Sequence, residues 1–230
     1  MIRVSILIPV YNEENTILEI LTQVRAQVID GVAFEVVVIN DASRDRSLEK
    51  LQSRPDLYDV LVSHPVNGGK GAAVKSGLNK ATGDYILFQD ADLEYDPAEY
   101  ANLLLPVLRF QADVVMGSRF LAPKYTRVHY LTHKIGNRLI TGVFNLLNNT
   151  TFTDIYSCYL LFQRDLINAG ELQTQGWQQQ AEILGLLARR NHAAYEVPIS
   201  YHGRTYAEGK KIRAYHTLGV LWAIVATRFR

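Results

Sequence analysis

The chain is predicted to form an α/β fold, a doubly wound and mostly parallel sheet with helices on both faces, and three observations carry that expectation. Apolar runs rich in Val, Ile and Leu alternate with helical patterns through the first half of the 230 residues, as strands buried on both faces require. Three of those runs end in polar clusters, and such a sheet binds its ligands beyond the carboxyl ends of its strands. Composition is the third: 48% hydrophobic and 20% charged residues describe a globular chain long enough for a substantial core.

The elements follow in order. Val4 to Val10 reads as the first strand and runs into Pro9-Val10-Tyr11-Asn12-Glu13. Glu14 to Val28 then places apolar residues at helical spacing. Phe34 to Asn40 is the second strand, ending in Asn40-Asp41-Ala42-Ser43, and Ser47 to Ser53 is a short helix. Val60 to His64 is the third strand. The loop Asn67-Gly68-Gly69-Lys70-Gly71 enters a helix over Lys70 to Ala81; it is either a glycine-rich turn or a place where free amides and Lys70 meet an anion. Tyr85 to Gln89 is the fourth strand, Pro97 to Phe110 a helix, and Asp113 to Ser118 the fifth strand. This βαβα rhythm is what predicts the parallel, doubly wound sheet.

At the tip of the fourth strand, Phe88-Gln89-Asp90-Ala91-Asp92-Leu93-Glu94-Tyr95-Asp96-Pro97 sets Asp90 and Asp92 one residue apart, with Glu94 beyond. Carboxylates so placed are hard oxygen ligands of the kind Mg²⁺ or Mn²⁺ takes, usually shared with substrate phosphates. A short acidic pair also serves as a helix cap, with Pro97 the first helical residue. Three polar clusters at one edge of one sheet favour the ligand site.

Several functions are excluded. A formal net charge of +1, without a run of Lys and Arg, gives no nucleic-acid footprint. The first strand is not followed by G-x-G-x-x-G, so a dinucleotide-binding oxidoreductase does not fit, and the loop around Lys70 lacks the G-K-[ST] ending of a phosphate loop. A nucleotidyltransferase is disfavoured because no Gly-x-Gly-Thr-Arg loop follows the first strand. Cys158 is the single cysteine, which rules out an internal disulfide; with no signal peptide before the first strand, a cytoplasmic location is expected. The thiol reads as a small buried hydrophobe.

Taken together the blocks resemble the family 2 glycosyltransferases of GT-A fold, in particular the bacterial branch similar to dolichyl-phosphate-mannose synthase. They are Ile8 to Glu14, Ile39 to Asp45, Asn67 to Ala73, Gln89 to Pro97 and Gly117-Ser118-Arg119-Phe120, with Thr153 to Tyr159 and Val197 to Ile212 further on. The match covers nearly the whole chain in order and spacing. The resemblance implies a single GT-A domain: a nucleotide-sugar half over 1–120, an acceptor-side half over 121–212 and an apolar C-terminal helix over 213–230.

By the same resemblance Pro9, Tyr11, Glu13 and Asp41 hold the base and ribose of a nucleoside diphosphate sugar, and Asp41 serves either uracil or guanine. Asp90, Ala91 and Asp92 lie beside the ribose and diphosphate, with Lys70 also on the donor side, and Asp90, Asp92 and Glu94 are the expected ligands of Mg²⁺ or Mn²⁺. Arg204, Lys210 and Lys211 are expected to close over the diphosphate. Asp154 is the candidate base for an acceptor hydroxyl, or a positioning group if the acceptor is already ionised, or a cap. Arg119 is expected to face an acceptor phosphate and to act in catalysis with Asp154; Arg138 is a second acceptor contact.

The implied reaction is inverting transfer of a hexose from a UDP-glucose or GDP-mannose type donor to a polyprenyl or dolichyl phosphate. A saccharide or other soluble acceptor, and a non-catalytic nucleotide-sugar-binding subunit, remain open. The chain departs from the bacterial pattern at Tyr156-Ser157-Cys158-Tyr159-Leu160, where relatives often carry Glu-Thr-Cys-Tyr-Lys, at Gln179-Gln180-Ala181-Glu182 in place of a Glu-Pro-Glu stretch, and at Ala214 to Gly219 in place of Trp-x-Asp-Gly.

The longest apolar stretch, Leu218 to Ala226, is far below the roughly 20 residues that span a bilayer. It is either a packed terminal helix or an interfacial one with Trp222 and the terminal arginines at the headgroups. His129 to Leu147 carries Ile135, Leu139, Ile140, Val143, Phe144 and Leu147 at helical spacing around Lys134 and Arg138, which fits either a core-facing helix or a platform for a lipid acceptor. Peripheral contact with the inner face of the cytoplasmic membrane, or with a membrane protein, belongs to that second reading.

Overall fold

The computed structural model describes residues 1–122, 125, 127, 131–190, 193–205 and 216–230, the side chains of Thr132 and His133 excepted. Seven strands, β1 (Ile2–Val10), β2 (Val32–Asn40), β3 (Val60–Ser63), β4 (Tyr85–Phe88), β5 (Val114–Ser118), β6 (Leu160–Gln163) and β7 (Ala194–Pro198), form one sheet. Their order is β3-β2-β1-β4-β6-β5-β7. Helices α1 (Ile17–Arg25), α2 (Ser47–Ser53), α3 (Lys70–Lys80), α4 (Tyr100–Phe110), α5 (Leu131–Asn148), α6 (Gln179–Ala188) and α7 (His216–Arg228) complete the described fold.

The expected doubly wound, mostly parallel sheet is what forms. The chain steps outward from β1 to β2 to β3, all parallel, then returns to the other side of β1 with β4, again parallel. That reversal makes the carboxyl ends of β1 and β4 the switch point where the crevice opens. The core strands are apolar on both faces: Ile6, Leu7, Ile8 and Val36 to Ile39 are fully buried. Each such side chain contributes about 1.5–3 kcal/mol relative to exposure.

The structure adds elements that periodicity alone did not supply. Strand β6 inserts antiparallel between β4 and β5, pairing Phe162 with both Ile86 and Val114, and β7 extends the sheet beside β5. Helix α1 is shorter than the expected Glu14 to Val28 because Asn12 takes a left-handed turn at φ 52°. The turn is tied to the next loop: the N–H of Glu13 donates to Ser47 Oγ (2.8 Å) and that of Glu14 to Asp45 Oδ2 (3.0 Å). Likewise Pro97 to Phe110 opens as a 3-10 turn, its Ala98 N–H capped by Asp96 Oδ1 at 2.9 Å, before α4 begins at Tyr100.

Helices α5, α6 and α7 pack together, and each lends residues to the lining of the crevice. On α5, Ile140 and Phe144 are buried whereas Leu131, Ile135, Leu139 and Leu146 are exposed, so the helix is apolar on two faces.

Candidate active site

The switch point is occupied by a cavity of about 700 Å³. Strand β1 pairs Leu7 with Phe88, the last residue of β4, and continues three residues further, so that Pro9 and Val10 form one wall and the Asp90 turn the other. Gln89 sets that turn: it is fully buried, its Oε1 accepts from the hydroxyls of Tyr100 (2.8 Å) and Tyr159 (2.9 Å), and its Nε2 donates to the Asp90 carbonyl (3.0 Å). The expected donor residues Pro9, Tyr11, Glu13, Asp41, Lys70, Asp90, Ala91, Asp92 and Arg204 all line this cavity, as do Glu94 and Arg119. Lys210 and Lys211 lie outside the described residues.

Asp41 is buried and heavily engaged. Its Oδ1 accepts from the N–H of Gly68 (2.9 Å) and lies 2.7 Å from His64 Nδ1, while Oδ2 accepts from the N–H of Gly69 (2.8 Å). It therefore shapes the glycine loop as well as facing the cavity. The amides of Gly71 and Ala72, in the first turn of α3, are taken by the fold itself: they donate to the Gln175 carbonyl at 2.7 and 3.2 Å. Gly69 makes this approach possible. At φ +87° it sits where side chains rarely go, and a Cβ there would stand 2.7 Å from Gln175 O.

The acidic turn is neutralised from two sides. Lys70 Nζ lies 2.5 Å from Asp90 Oδ1 and 5.6 Å from the Trp177 ring centre. Burial opposes the ammonium, but the adjacent Asp90 outweighs it and holds the lysine above its ordinary range. Arg204 spans three carboxylates: Nη2 is 2.6 Å from Asp92 Oδ2, Nη1 and Nη2 are each 3.2 Å from Glu13, and Nε is 3.3 Å from Glu94 Oε1. Burial, with Asp90 and then Glu94 nearby, pushes the Asp92 carboxyl up to about 7 despite Arg204. Among the described residues no set of three His, Cys, Asp or Glu side chains is already gathered as a metal cage; Asp90 is turned to Lys70, and Asp92 and Glu94 to Arg204. The donor set is nonetheless hard oxygen, and the guanidinium seated within it is a cation in place, so these residues fit Mg²⁺ or Mn²⁺.

Arg119 also lines the cavity and presents its guanidinium 5.1 Å from the Tyr201 ring centre. Its partner Asp154 is fully buried behind it and is not part of the cavity wall, which corrects the expectation of Asp154 as an accessible base. Arg138 is corrected too: it lies on the exposed outer face of α5, while Gly136, Asn137 and Ile140 of that helix meet the cavity.

Residues beyond the sequence-based set also line the site. Trp177 covers Lys70, Tyr156 donates its hydroxyl to the Trp177 carbonyl (3.1 Å), and burial pushes that phenol up to about 12. Gln179, Gln180 and Tyr201 complete this wall. The departures at 156–160 and 179–182 were the available signal, for they fall on the cavity; nothing local marked Trp177. Cys158 is buried as expected, its thiol pushed well up by burial and then by Asp90.

Comparison with known proteins gives a consistent frame. The model of the family described as glycosyl transferase family 2 matches residues 5–170. The chain is 26% identical over 211 residues to a dolichol-phosphate mannosyltransferase of Pyrococcus furiosus, covering 90% of this chain and 59% of that protein. It is 41% identical over 105 residues to an undecaprenyl-phosphate 4-deoxy-4-formamido-L-arabinose transferase of Pseudomonas aeruginosa, covering 44% of this chain and 31% of that one. The chain thus covers only part, 59% and 31%, of the length of these two relatives. Among solved structures it resembles glucosyl-3-phosphoglycerate synthase of Mycobacterium tuberculosis, in a complex with Mn²⁺, UDP and glucosyl-3-phosphoglycerate, at a TM-score of 0.75 and 19% identity over 99% of this chain and 80% of that one. That likeness concerns the fold.

Proposed function

The chain belongs to glycosyl transferase family 2, and on that premise we propose that it transfers a hexose, with inversion, from a UDP-glucose or GDP-mannose type donor to a polyprenyl phosphate, with Mg²⁺ or Mn²⁺. The observation that carries this reading is that one cavity is lined both by the acidic turn, through Asp90, Asp92 and Glu94, and by the Arg119 guanidinium. An acid cluster suits a metal-bound diphosphate; an arginine whose carboxylate partner is buried away from the cavity suits an acceptor that is already an anion.

Each residue then has a task. Pro9, Tyr11, Glu13 and Asp41 form the wall for base and ribose. Asp90, Asp92 and Glu94 would hold the metal, which offsets the charge that builds on the departing diphosphate. Lys70 and Arg204 add positive charge to the same end, and Trp177, stacked on Lys70, excludes water from it. Arg119, oriented by Asp154, holds the acceptor phosphate, whose oxygen needs no proton removed. The 1–120 half supplies most of the donor wall and the 121–212 half the acceptor side, although Arg204 and Trp177 reach back across that division. The described part of the 213–230 segment is helical from His216 to Arg228.

Membrane contact follows from the outer faces of α5 and α7. Leu131, Ile135, Leu139, Leu218, Trp222, Val225 and Phe229 are exposed large hydrophobic residues on these two packed helices or at the end of α7. Exposed Lys134, Arg138, Arg228 and Arg230 accompany them. Gly136, Asn137 and Ile140 of α5 and His216, Thr217 and Val220 of α7 border the cavity, so a lipid-phosphate acceptor would approach along this side. No helix among the described residues is long and apolar enough to cross a membrane.

The test is transfer of radiolabel from UDP-glucose and GDP-mannose with Mn²⁺ and native membranes, for wild type and Asp92→Ala. Label entering solvent-extractable lipid with wild type alone supports the proposal. Label in the aqueous phase replaces it with a saccharide acceptor, and metal-dependent nucleotide binding without turnover of either donor favours a binding subunit.

A further inference from the structure

Resting on that metal-dependent reading, we propose that Arg204 is a resident surrogate for the divalent cation, holding in the nucleotide-free protein the carboxylates that the metal takes over when the diphosphate binds. The arginine makes more ionic contacts than any positioning role requires. Its guanidinium reaches Asp92 (2.6 Å), Glu13 (3.2 Å) and Glu94 (3.3 Å), and its backbone N–H donates to Glu94 Oε1 (2.9 Å). The four side chains are mostly withdrawn from solvent, at 20% exposure for Arg204 and 9%, 13% and 11% for Glu13, Asp92 and Glu94. Carboxylates so placed need a cation.

One guanidinium facing Glu13, Asp92 and Glu94 leaves the group with surplus negative charge, which a divalent ion, carrying twice the charge of the guanidinium, offsets more fully. The two cations compete for Asp92 and Glu94: an ion bound to these carboxylates repels a guanidinium that lies 2.6 Å from Asp92 Oδ2 and 3.3 Å from Glu94 Oε1. Exchange does not require the backbone to leave. The segment beyond β7 that carries Arg204 is pinned to Glu94, through the Tyr201 hydroxyl on Oε2 (2.7 Å) and the His202 N–H on the Glu94 carbonyl (3.0 Å). The side chain alone can turn from the carboxylates to the diphosphate oxygens, which offer it a bidentate partner.

Metal and nucleoside diphosphate are then thermodynamically coupled through Arg204. The free protein resists the metal because the arginine holds its ligands, and the diphosphate relieves that resistance by accepting the arginine; coupling of this kind is reciprocal.

The experiment is titration of the full chain with MnCl₂, followed by the electron paramagnetic resonance of free Mn²⁺, without nucleotide and with saturating UDP or GDP, for wild type, Arg204→Ala and Arg204→Lys. Without nucleotide, Arg204→Ala is expected to bind Mn²⁺ about tenfold more tightly than wild type, and the gain in Mn²⁺ affinity on adding nucleotide is expected to shrink. Arg204→Lys, whose single ammonium cannot span three carboxylates, is expected between the two and serves if the alanine variant does not fold. Nucleotide-dependent Mn²⁺ binding in wild type with no tightening in either variant overturns the inference alone. Absence of Mn²⁺ binding in wild type with both nucleotides overturns the metal-dependent reading and the inference with it.

Discussion

The Arg119 guanidinium grips both oxygens of Asp154, Nε at 2.7 Å from Oδ2 and Nη2 at 2.8 Å from Oδ1, and the Arg119 backbone N–H reaches Oδ2 at 3.1 Å. Asp154 Oδ1 also accepts from the N–H of Tyr156 at 3.2 Å. A guanidinium so held keeps one orientation toward the cavity. Burial opposes the charge on Arg119, but Asp154 dominates and holds it far above the ordinary arginine range.

Asp154→Asn is therefore expected to act through Arg119. Removing one partner of this buried pair should lower unfolding stability by about 3 kcal/mol, read by denaturant titration. For a phosphate acceptor, KM should rise more than kcat falls. Complete loss of turnover in a folded variant that still binds donor would return Asp154 to the role of base.

Gly69→Ala probes the loop beneath Lys70. The left-handed backbone and the Gln175 carbonyl 2.7 Å from a Cβ both oppose the substitution, with an expected stability loss of about 1–3 kcal/mol. Because Lys70 follows directly, affinity for UDP or GDP should fall with it. Calorimetric titration of nucleotide checks this, and unchanged affinity would detach the loop from the donor site.

Glu182 makes the same loop sensitive to acid. Its Oε2 accepts from the Thr174 hydroxyl (2.6 Å) and N–H (2.9 Å), and its Oε1 from the Gln173 N–H (2.9 Å) and Arg230 Nη2 (2.6 Å). Burial alone would push this carboxyl up; the hydrogen bonds from Thr174, Arg230 and the two amides outweigh it and hold it below the usual 4.5. A folded pKa below the unfolded one stabilises the protein above the unfolded value, and that contribution is lost as pH falls through the folded value. Glu182→Gln should thus cost about 1–3 kcal/mol at pH 7, and thermal melts of variant and wild type should converge as pH drops below about 4.5.

The apolar faces of α5 and α7 give a membrane test. Co-sedimentation with vesicles containing anionic lipid should fall at least tenfold for Leu139→Glu combined with Trp222→Glu, both exposed positions where folding has little at stake. Equal sedimentation of variant and wild type would assign these faces elsewhere.

Much of this protein was legible along the chain because it depends on neighbours in sequence. The period of two-sided burial in Val4–Val10 and Phe34–Asn40 marked central strands, and the one-residue spacing of Asp90 and Asp92 after an apolar run marked a strand tip. Glycine at 68 and 69 signalled a sharp loop. Those residues do meet at one cavity, since parallel strands put all their carboxyl ends on one edge.

Sheet order and burial decided the rest, because ionic partners are chosen by proximity in space. Nothing local joins Arg204 to Glu13 across 191 positions, or places Asp154 behind Arg119 across 35. Asp154 looked like a base by its block and became an anchor by its burial; Arg138 shared a helix with the cavity wall but pointed outward. The sequence by itself determined the first five strands, the acidic tip and the family. Only the tertiary structure decided which cation each acid keeps, because desolvated charges must be paired and the fold determines what lies within reach.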